Sequence, residues 1–600
     1  MKSIKLLLIF ILITSAACSQ PKNEKNSKIT AKEVQEHINY LASDKLEGRL
    51  TGTVGARMAS DYIRQDFESY GLKPLFDSTY FQYFPFISGV ELTGDNSVQL
   101  TIKNDVKSLE LNKEFTTTPY SGNNKVEGGL VFVGYGISAP DLKYDDYQGI
   151  DVHGKIVMLM RYHPEEKNPH SKFMKYSDLR YKAKIAQEKG ASGVIFVNGH
   201  IPPDPEDKLI KLRYDGARGI DSLCVVQVKR DIADELFKSA GMNFQSVQQE
   251  IVDSLKPHSF EFSDVRVKLS TGLNYVEKQG RNVAGYIEGN DPVLKNQYIV
   301  IGAHYDHLGY GETGSLYRGK EKLIHNGADD NASGTAGVME LAEKFASEKA
   351  KLKRSIIFIT FSGEELGTLG SSYFADHSPV PTTDISTMIN MDMIGRLNEE
   401  KELTVFGAGT STIWKNLLDT DAKGFNFKLN KQDDGYGPSD HASFYAKKIP
   451  VLFFFTGVHA DYHRPSDDAD KINSKGEETI LKYVYRVSSD IDTLSTQPNY
   501  VSIPRKSEGG KMSFRVDVGT IPNYADQADG LKINGVREGS PAQKGGLKGG
   551  DVIINFGGKK IANIYDYTYA LGDFTPGDVV DVIVMRDGKK VTLKVTLGAR

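Results

Sequence analysis

Residues 298–307 read Tyr298-Ile299-Val300-Ile301-Gly302-Ala303-His304-Tyr305-Asp306-His307. An unbroken apolar run ends in two histidines and an acid. A strand that is apolar at every position, and not only at alternate ones, must be covered on both faces, as in a mainly parallel sheet between helices. Further runs of the same kind stand at 355–361, 387–391 and 450–455, and a helical pattern at 332–346 separates the first two strands. From 282 to about 493 the alternation of strand and helix predicts an α/β fold, a mainly parallel mixed sheet sandwiched by helices.

The chemistry-bearing residues cluster in this block. Seven of the thirteen histidines fall between positions 304 and 463, interleaved with acids. His304-Tyr305-Asp306-His307 follows the first strand, Gly327-Ala328-Asp329-Asp330-Asn331 precedes the helix, and Gly363-Glu364-Glu365-Leu366 follows the next strand. Asn390-Met391-Asp392-Met393 ends the third, and Tyr462-His463-Arg464-Pro465-Ser466-Asp467 comes soon after the fourth. The carboxyl ends of parallel strands line one crevice, so the five segments are expected to converge there. Each has a plain structural reading. Asp329 suits a helix start, Ser362-x-x-Glu365 has capping-box spacing, and His304 and His463 are acceptable as satisfied buried histidines. Asp392 resists this, because an acid closing an apolar strand needs a buried partner. The repeated placement favours a site.

Only two cysteines occur, Cys18 and Cys224, which excludes a disulfide framework and any Cys-based zinc module. His, Asp and Glu must then hold any metal. Two His with three or four carboxylates and no thiol suit a pair of zinc ions bridged by one carboxylate, which share a hydroxide for attack on a carbonyl. Adjacent Glu364 and Glu365 then divide the work, one binding metal and the other serving as general base. The His304-x-Asp306 spacing lets Asp306 receive the second ring proton of His304.

The set HxD, GADDNASG, SGEELG, NMDMIG and YHRPSD resembles the co-catalytic zinc aminopeptidases, which include bacterial leucine aminopeptidases and, more distantly, glutamate carboxypeptidase II. All five blocks occur in order, and the resemblance covers the α/β segment and the N-terminal helices. It implies the zinc exopeptidase fold with two Zn2+ ions. His304 and Asp392 would hold one ion, Glu365 and His463 the other, and Asp329 would bridge them. Glu364 would be the base and Asp306 the partner of His304. Gly435-Tyr436-Gly437-Pro438-Ser439-Asp440-His441 resembles the segment whose Tyr helps stabilise the oxyanion, a role that would fall to Tyr436. His459 competes with His463 as ligand, and the Tyr-His-x-Pro context favours His463. Asp440 and His441 are expected in the wall of the site.

The 600 residues exceed one hydrophobic core. Lys2 and Lys5, an apolar run at 6–13 and Ser15-Ala16-Ala17-Cys18 describe a signal for export, and the cysteine resembles a bacterial lipobox, implying acylation at Cys18. The organisation expected is a signal at 1–18, a tether at 19–29, and an N-terminal part of the peptidase at 30–125 that carries helices near 30–41 and 55–71. A β-rich insert follows at 126–268, the catalytic unit at 269–495, a linker at 496–511 and a C-terminal domain at 512–600. The insert, with Gly134-Tyr135-Gly136 and Lys189-Gly190-Ala191-Ser192-Gly193-Val194, resembles a protease-associated (PA) domain. Arg537-Glu538-Gly539-Ser540-Pro541-Ala542 with Gly546 to Ile553 resembles a PDZ domain of the bacterial protease type. Such a domain adds a peptide to its sheet edge, with Val518-Gly519-Thr520-Ile521 as carboxylate loop. A formal net charge of −4 speaks against nucleic acid. The function expected is removal of residues from peptides with a free N-terminus. Rival readings are a carboxypeptidase, dipeptidase or glutaminyl cyclase on the same fold, and a non-catalytic peptide-binding scaffold.

Overall fold

The computed structural model describes residues 28–168, 170–203, 205–503, 516–523 and 529–599. The expected signal, nearly all of the tether and part of the linker lie outside these residues. No helix among the described residues is long and apolar enough to cross a membrane.

The largest sheet has nine strands. Its centre is four parallel strands in the order Ser355–Phe361, Tyr298–His304, Ile385–Met391 and Val451–Phe455. Leu273–Ile287 flanks them antiparallel on one side and Glu402–Phe406 on the other, so the sheet is mixed. Every residue of Ser355–Phe361 and of Ile385–Met391 is buried, as a strand with both faces covered requires. Ile299, Ile301, Phe358, Ile389 and Leu452 face the helices Ala31–Leu41, Val54–Tyr70, Gly334–Ser347 and Ser474–Thr493. Val300, Ile357, Met388 and Val451 face Phe374, Phe444 and Tyr445 on the other side. The N-terminal helices are thus part of the same hydrophobic core as this sheet. Thr30 caps the first of them, accepting from the Glu33 amide.

Phe81–Leu92 and Leu273–Ile287 pair antiparallel along almost their whole length, and this ribbon carries the chain out to the insert and back. The insert is an eight-stranded sheet centred on the parallel strands Ile156–Met160, Gly193–Val197 and Cys224–Val228. It also takes in Ser97–Ile102 and Asp105–Ser108, an antiparallel pair on Ser259–Thr271, and Phe115–Thr117 on Cys224–Val228. The sequence reading assigned 97–117 to the peptidase. These strands are short; Ser97–Ile102 and Phe115–Thr117 are stabilised by pairing with residues more than 100 positions along the chain, and Asp105–Ser108 extends the edge as a hairpin, a tertiary effect that local pattern does not carry.

The C-terminal domain is a six-stranded antiparallel sheet with the helix Ile564–Leu571. It docks on both other units. Tyr569 donates to Asp178 of the insert at 2.5 Å, and Tyr565 donates to the Asp215 carbonyl. Lys532 lies 3.3 Å from Asp376 of the unit built on the nine-stranded sheet, and Asp376 also pairs with Lys447 at 2.6 Å.

Candidate metal centre

Each central strand delivers one or two groups at or just beyond its carboxyl end. His304 is the last residue of its strand, Asp392 follows Met391, and Glu364 and Glu365 stand in the turn after Phe361. His463 sits in the loop after Val451–Phe455 with φ 55°, a left-handed conformation.

A sixth group comes from the segment before the Gly334–Ser347 helix. Here the sequence reading placed helix from 332, whereas residues Ala328–Ser333 form an irregular π turn. Asp330 (φ −106°, ψ 92°) and Asn331 (φ −134°, ψ 50°) depart from helical geometry. This detour aims Asp330 into the crevice and Asp329 out of it. Asp330 Oδ1 lies 3.4 Å from His304 Nε2, and its Oδ2 lies 3.2 Å from His463 Nε2. Asp329, expected at the bridge, instead accepts from the Gly395 amide at 2.7 Å and faces His459 Nε2 at 3.1 Å. The expectation is corrected: Asp330 occupies the middle position, because the backbone, not the order of the two acids, decides which one points inward. His459 is engaged with Asp329.

The other expected ligands and Glu364 are brought together. His304 Nε2 is 3.5 Å from Asp392 Oδ1 and 3.9 Å from Glu364 Oε2, and His463 Nε2 is 3.2 Å from Glu365 Oε2. Asp306 lies behind His304, whose Nδ1 is 3.2 Å from the Asp306 carbonyl and 3.7 Å from its carboxylate. That carboxylate is itself fixed, accepting from Thr51 Oγ1 at 2.9 Å and from the Glu364 amide at 3.2 Å. Tyr436 packs edge-on against Tyr445, ring centroids 4.6 Å apart, and burial raises its hydroxyl well above the usual value. Asp440 and His441 are wholly buried.

Sequence reasoning gave no role to several groups that hold the centre. Buried Arg49 donates to the carbonyls of Tyr305, Asn326, Gly327 and Leu41, and so ties the His304 segment to the Asp330 segment. Asp467 accepts from the amides of Asp329 at 2.9 Å and Asp330 at 3.1 Å. Ser439 donates to Asp392 Oδ2 at 2.7 Å. Buried His307 contacts Glu365. Asp467 and His307 lie within quoted motifs, so position was a signal; Arg49 had none beyond its place after an N-terminal helix.

The donor set fits divalent cations. Ligands on one tetrahedral ion with bonds of about 2.0–2.2 Å sit about 3.3 Å apart. The distances from His304 and His463 to their carboxylates, 3.2–3.5 Å, have that spacing. His304 Nε2 and Asp392 Oδ1 are buried with no hydrogen-bond partner, a costly arrangement for a merely structural cluster. Electrostatics point the same way. Burial, with Glu365 next, pushes Asp330 up to about 6. Burial also pushes Glu364 well above the carboxylate range, against the pull of His304. Glu365 is buried too, but His307 and His463 hold it below the usual range. Three carboxylates, Asp330, Asp392 and Glu365, stand around the two imidazoles as the anionic donors that a pair of divalent ions needs. Among the described residues, His304 with Asp330 and Asp392, and His307 with Asp330 and Glu365, form groups whose donor atoms lie within 4.8 Å of one another.

Residues 282–488 match the model described as Peptidase family M28, residues 126–230 that of the PA domain, and residues 516–597 that of the PDZ domain. The M28 match thus covers about a third of the chain, with the PA-domain match ahead of it and the PDZ-domain match after it. Aminopeptidase YwaD of Bacillus subtilis (strain 168) is 25% identical over 356 residues, which are 57% of this chain and 64% of that protein. A probable periplasmic serine endoprotease, DegP-like, of Marinomonas sp. (strain MWYL1) is 44% identical over 75 residues, 12% of this chain and 16% of the other. The solved structure of BSAP, a zinc aminopeptidase from Bacillus subtilis, aligns with a TM-score of 0.45 and 21% identity, covering 80% of this chain and all of that one. The chain therefore spans less than two thirds of the length of the curated relatives it matches here.

Proposed function

We propose that this protein is a two-zinc aminopeptidase. His304 and Asp392 would hold one ion, His463 and Glu365 the other, and Asp330 would share its two oxygens between them. The observation that carries the reading is the pair of Asp330 contacts, one oxygen to each histidine, at the spacing of common ligands. When bound, zinc polarises the scissile carbonyl and lowers the pKa of water. Glu364 is the group left over, beside the first histidine and not needed as a ligand. It accepts the proton of the attacking water on its carboxylate and delivers it to the amine that leaves. Asp306 fixes the ring of His304 and, through the Glu364 amide, the base itself. Tyr436 remains the candidate donor to the oxyanion.

The substrate class proposed is peptides with a free N-terminus. We further infer export and acylation at Cys18, which rest on residues 1–18, and capture of a peptide C-terminus by the Val518–Ile521 segment of the PDZ domain. Gly519 there has φ 80°, and a Cβ would meet Ser540 Cβ at 2.3 Å. The deciding experiment gives zinc-loaded protein short peptides in free and N-acetylated forms, read by mass spectrometry. Stepwise trimming of the free forms alone supports the proposal. Cleavage from the C-terminus, cyclised N-terminal glutamine, or no change despite bound zinc would each reject it.

The pH dependence of zinc binding follows from the shifts. Asp330 is raised to about 6 and His463 to about 10; for His463, burial opposes the rise and the bonds to Asp330 and Glu365 outweigh it. Without metal, the fold holds both protons above the groups' ordinary values. The stability each contributes is therefore present at low pH and lost as pH rises through the raised values. Zinc requires both groups deprotonated, so its apparent affinity should rise with pH, about tenfold per unit for each proton displaced. Chelator competition at pH 6 and pH 8 is expected to show a gain of about 100-fold or more. A flat or falling affinity contradicts the assignment of His463.

A further inference from the structure

His307 is buried, is not needed to complete either trio proposed above, and is three residues beyond the end of the Tyr298–His304 strand. Its ring is tightly placed. The His307 amide donates to the Arg49 carbonyl at 3.4 Å, and a Cβ on Gly327 (φ 57°) would lie 2.5 Å from the ring. Its Nδ1 is 2.7 Å from Glu365 Oε1, while the other oxygen of that carboxylate, Oε2, is the one that faces His463 Nε2 at 3.2 Å.

We propose that His307 is a positioning residue of the second zinc site, holding Glu365 Oε1 through Nδ1–H so that Oε2 alone is presented to the metal. This rests on the two-zinc reading above. The distances separate the role from that of a ligand. Groups sharing an ion stand about 3.3 Å apart. His307 Nδ1 is nearer than that to Glu365 Oε1, at hydrogen-bond distance, and farther from Asp330 Oδ2, at 3.9 Å. An ionised carboxylate only accepts, so the proton is on Nδ1. His307 Nε2 is then a buried acceptor without a partner. A structural imidazole gains nothing from that cost, whereas one that fixes a ligand's orientation is retained for it.

The test is chelator-competition zinc titration of the full chain, wild type against His307→Ala and His307→Gln, with cobalt(II) absorption spectra of each. Loss of the donor in the Ala variant should weaken the second ion by about 10- to 100-fold and leave the first unchanged. Gln, whose amide can donate to Glu365, should restore most of the affinity and keep the wild-type cobalt bands. If Ala does not fold, His307→Met replaces it. Wild-type affinity in the Ala or Met variant overturns the proposal. So does a Gln variant as weak as Ala with altered cobalt bands, which would make the imidazole a ligand. Wild-type protein binding fewer than two zinc ions overturns the two-zinc reading itself before any variant is compared, so the two failures are distinct.

Discussion

Replacing Glu364 by Gln should lower turnover of a free-N-terminal peptide by about 100- to 10,000-fold while both zinc ions stay bound. The substitution keeps shape and removes only the ability to take a proton. Glu364 Oε2 stands 3.9 Å from His304 Nε2, outside the trios around His304 and His463, so metal content should not depend on its charge. Its amide, not its side chain, is what Asp306 holds, and that contact survives the change. The loss corresponds to about 3–5 kcal/mol of transition-state stabilisation, the share expected of a positioned general base. Steady-state kinetics and metal analysis on the same preparation decide the matter. A loss below tenfold would take the role of base from Glu364, and a loss of zinc would make it a ligand. An N-terminal α-amine must also be accommodated, and a KM that changes little alongside the fall in turnover would separate proton transfer from substrate binding.

The frame of this centre was legible in the chain because strands buried on both faces write themselves as continuous apolar runs, and their ends are marked by residues that cannot belong to an apolar sheet. His304 and Asp392 are such marks. So is the Glu364-Glu365 pair, since two adjacent acids in one turn point in different directions. Three things were beyond reach. The strand Ser97–Ile102 is stabilised by pairing with Ser259–Thr271, more than 150 residues later, which no local window contains. Arg49 is an ordinary surface residue by type, and only the fold shows its guanidinium surrounded by four carbonyls, with burial lowering its pKa to about 10 against the pull of Asp306 and Asp330. The third was the choice between Asp329 and Asp330. Adjacent acids in a helical segment differ by about 100° around the axis, and a helix beginning at 332 aims neither with certainty. The irregular turn at Ala328–Ser333 sets the answer, with Asp467 holding both amides in place.

That choice yields the sharpest contrast between two neighbouring substitutions. Asp330→Asn should cost each ion a charged donor. An amide offers one oxygen, so the site facing the NH2 group meets a donor where it needs an acceptor, and the other site loses the negative charge. Removing one partner from a buried charged pair costs about 3–5 kcal/mol, which is about 10²- to 10⁴-fold in metal affinity. Peptide hydrolysis should fall at least in step. Asp329→Asn should behave differently. The Asn oxygen still accepts from the Gly395 amide, and its NH2 can donate to His459 Nε2. The expected cost is a stability loss of about 0.5–1.5 kcal/mol, with zinc stoichiometry and turnover close to wild type. Zinc titration of the two variants side by side reads the difference directly. If Asp329→Asn empties the centre and Asp330→Asn leaves it filled, the bridge belongs to Asp329 after all, and the turn that aims Asp330 into the crevice has been misread.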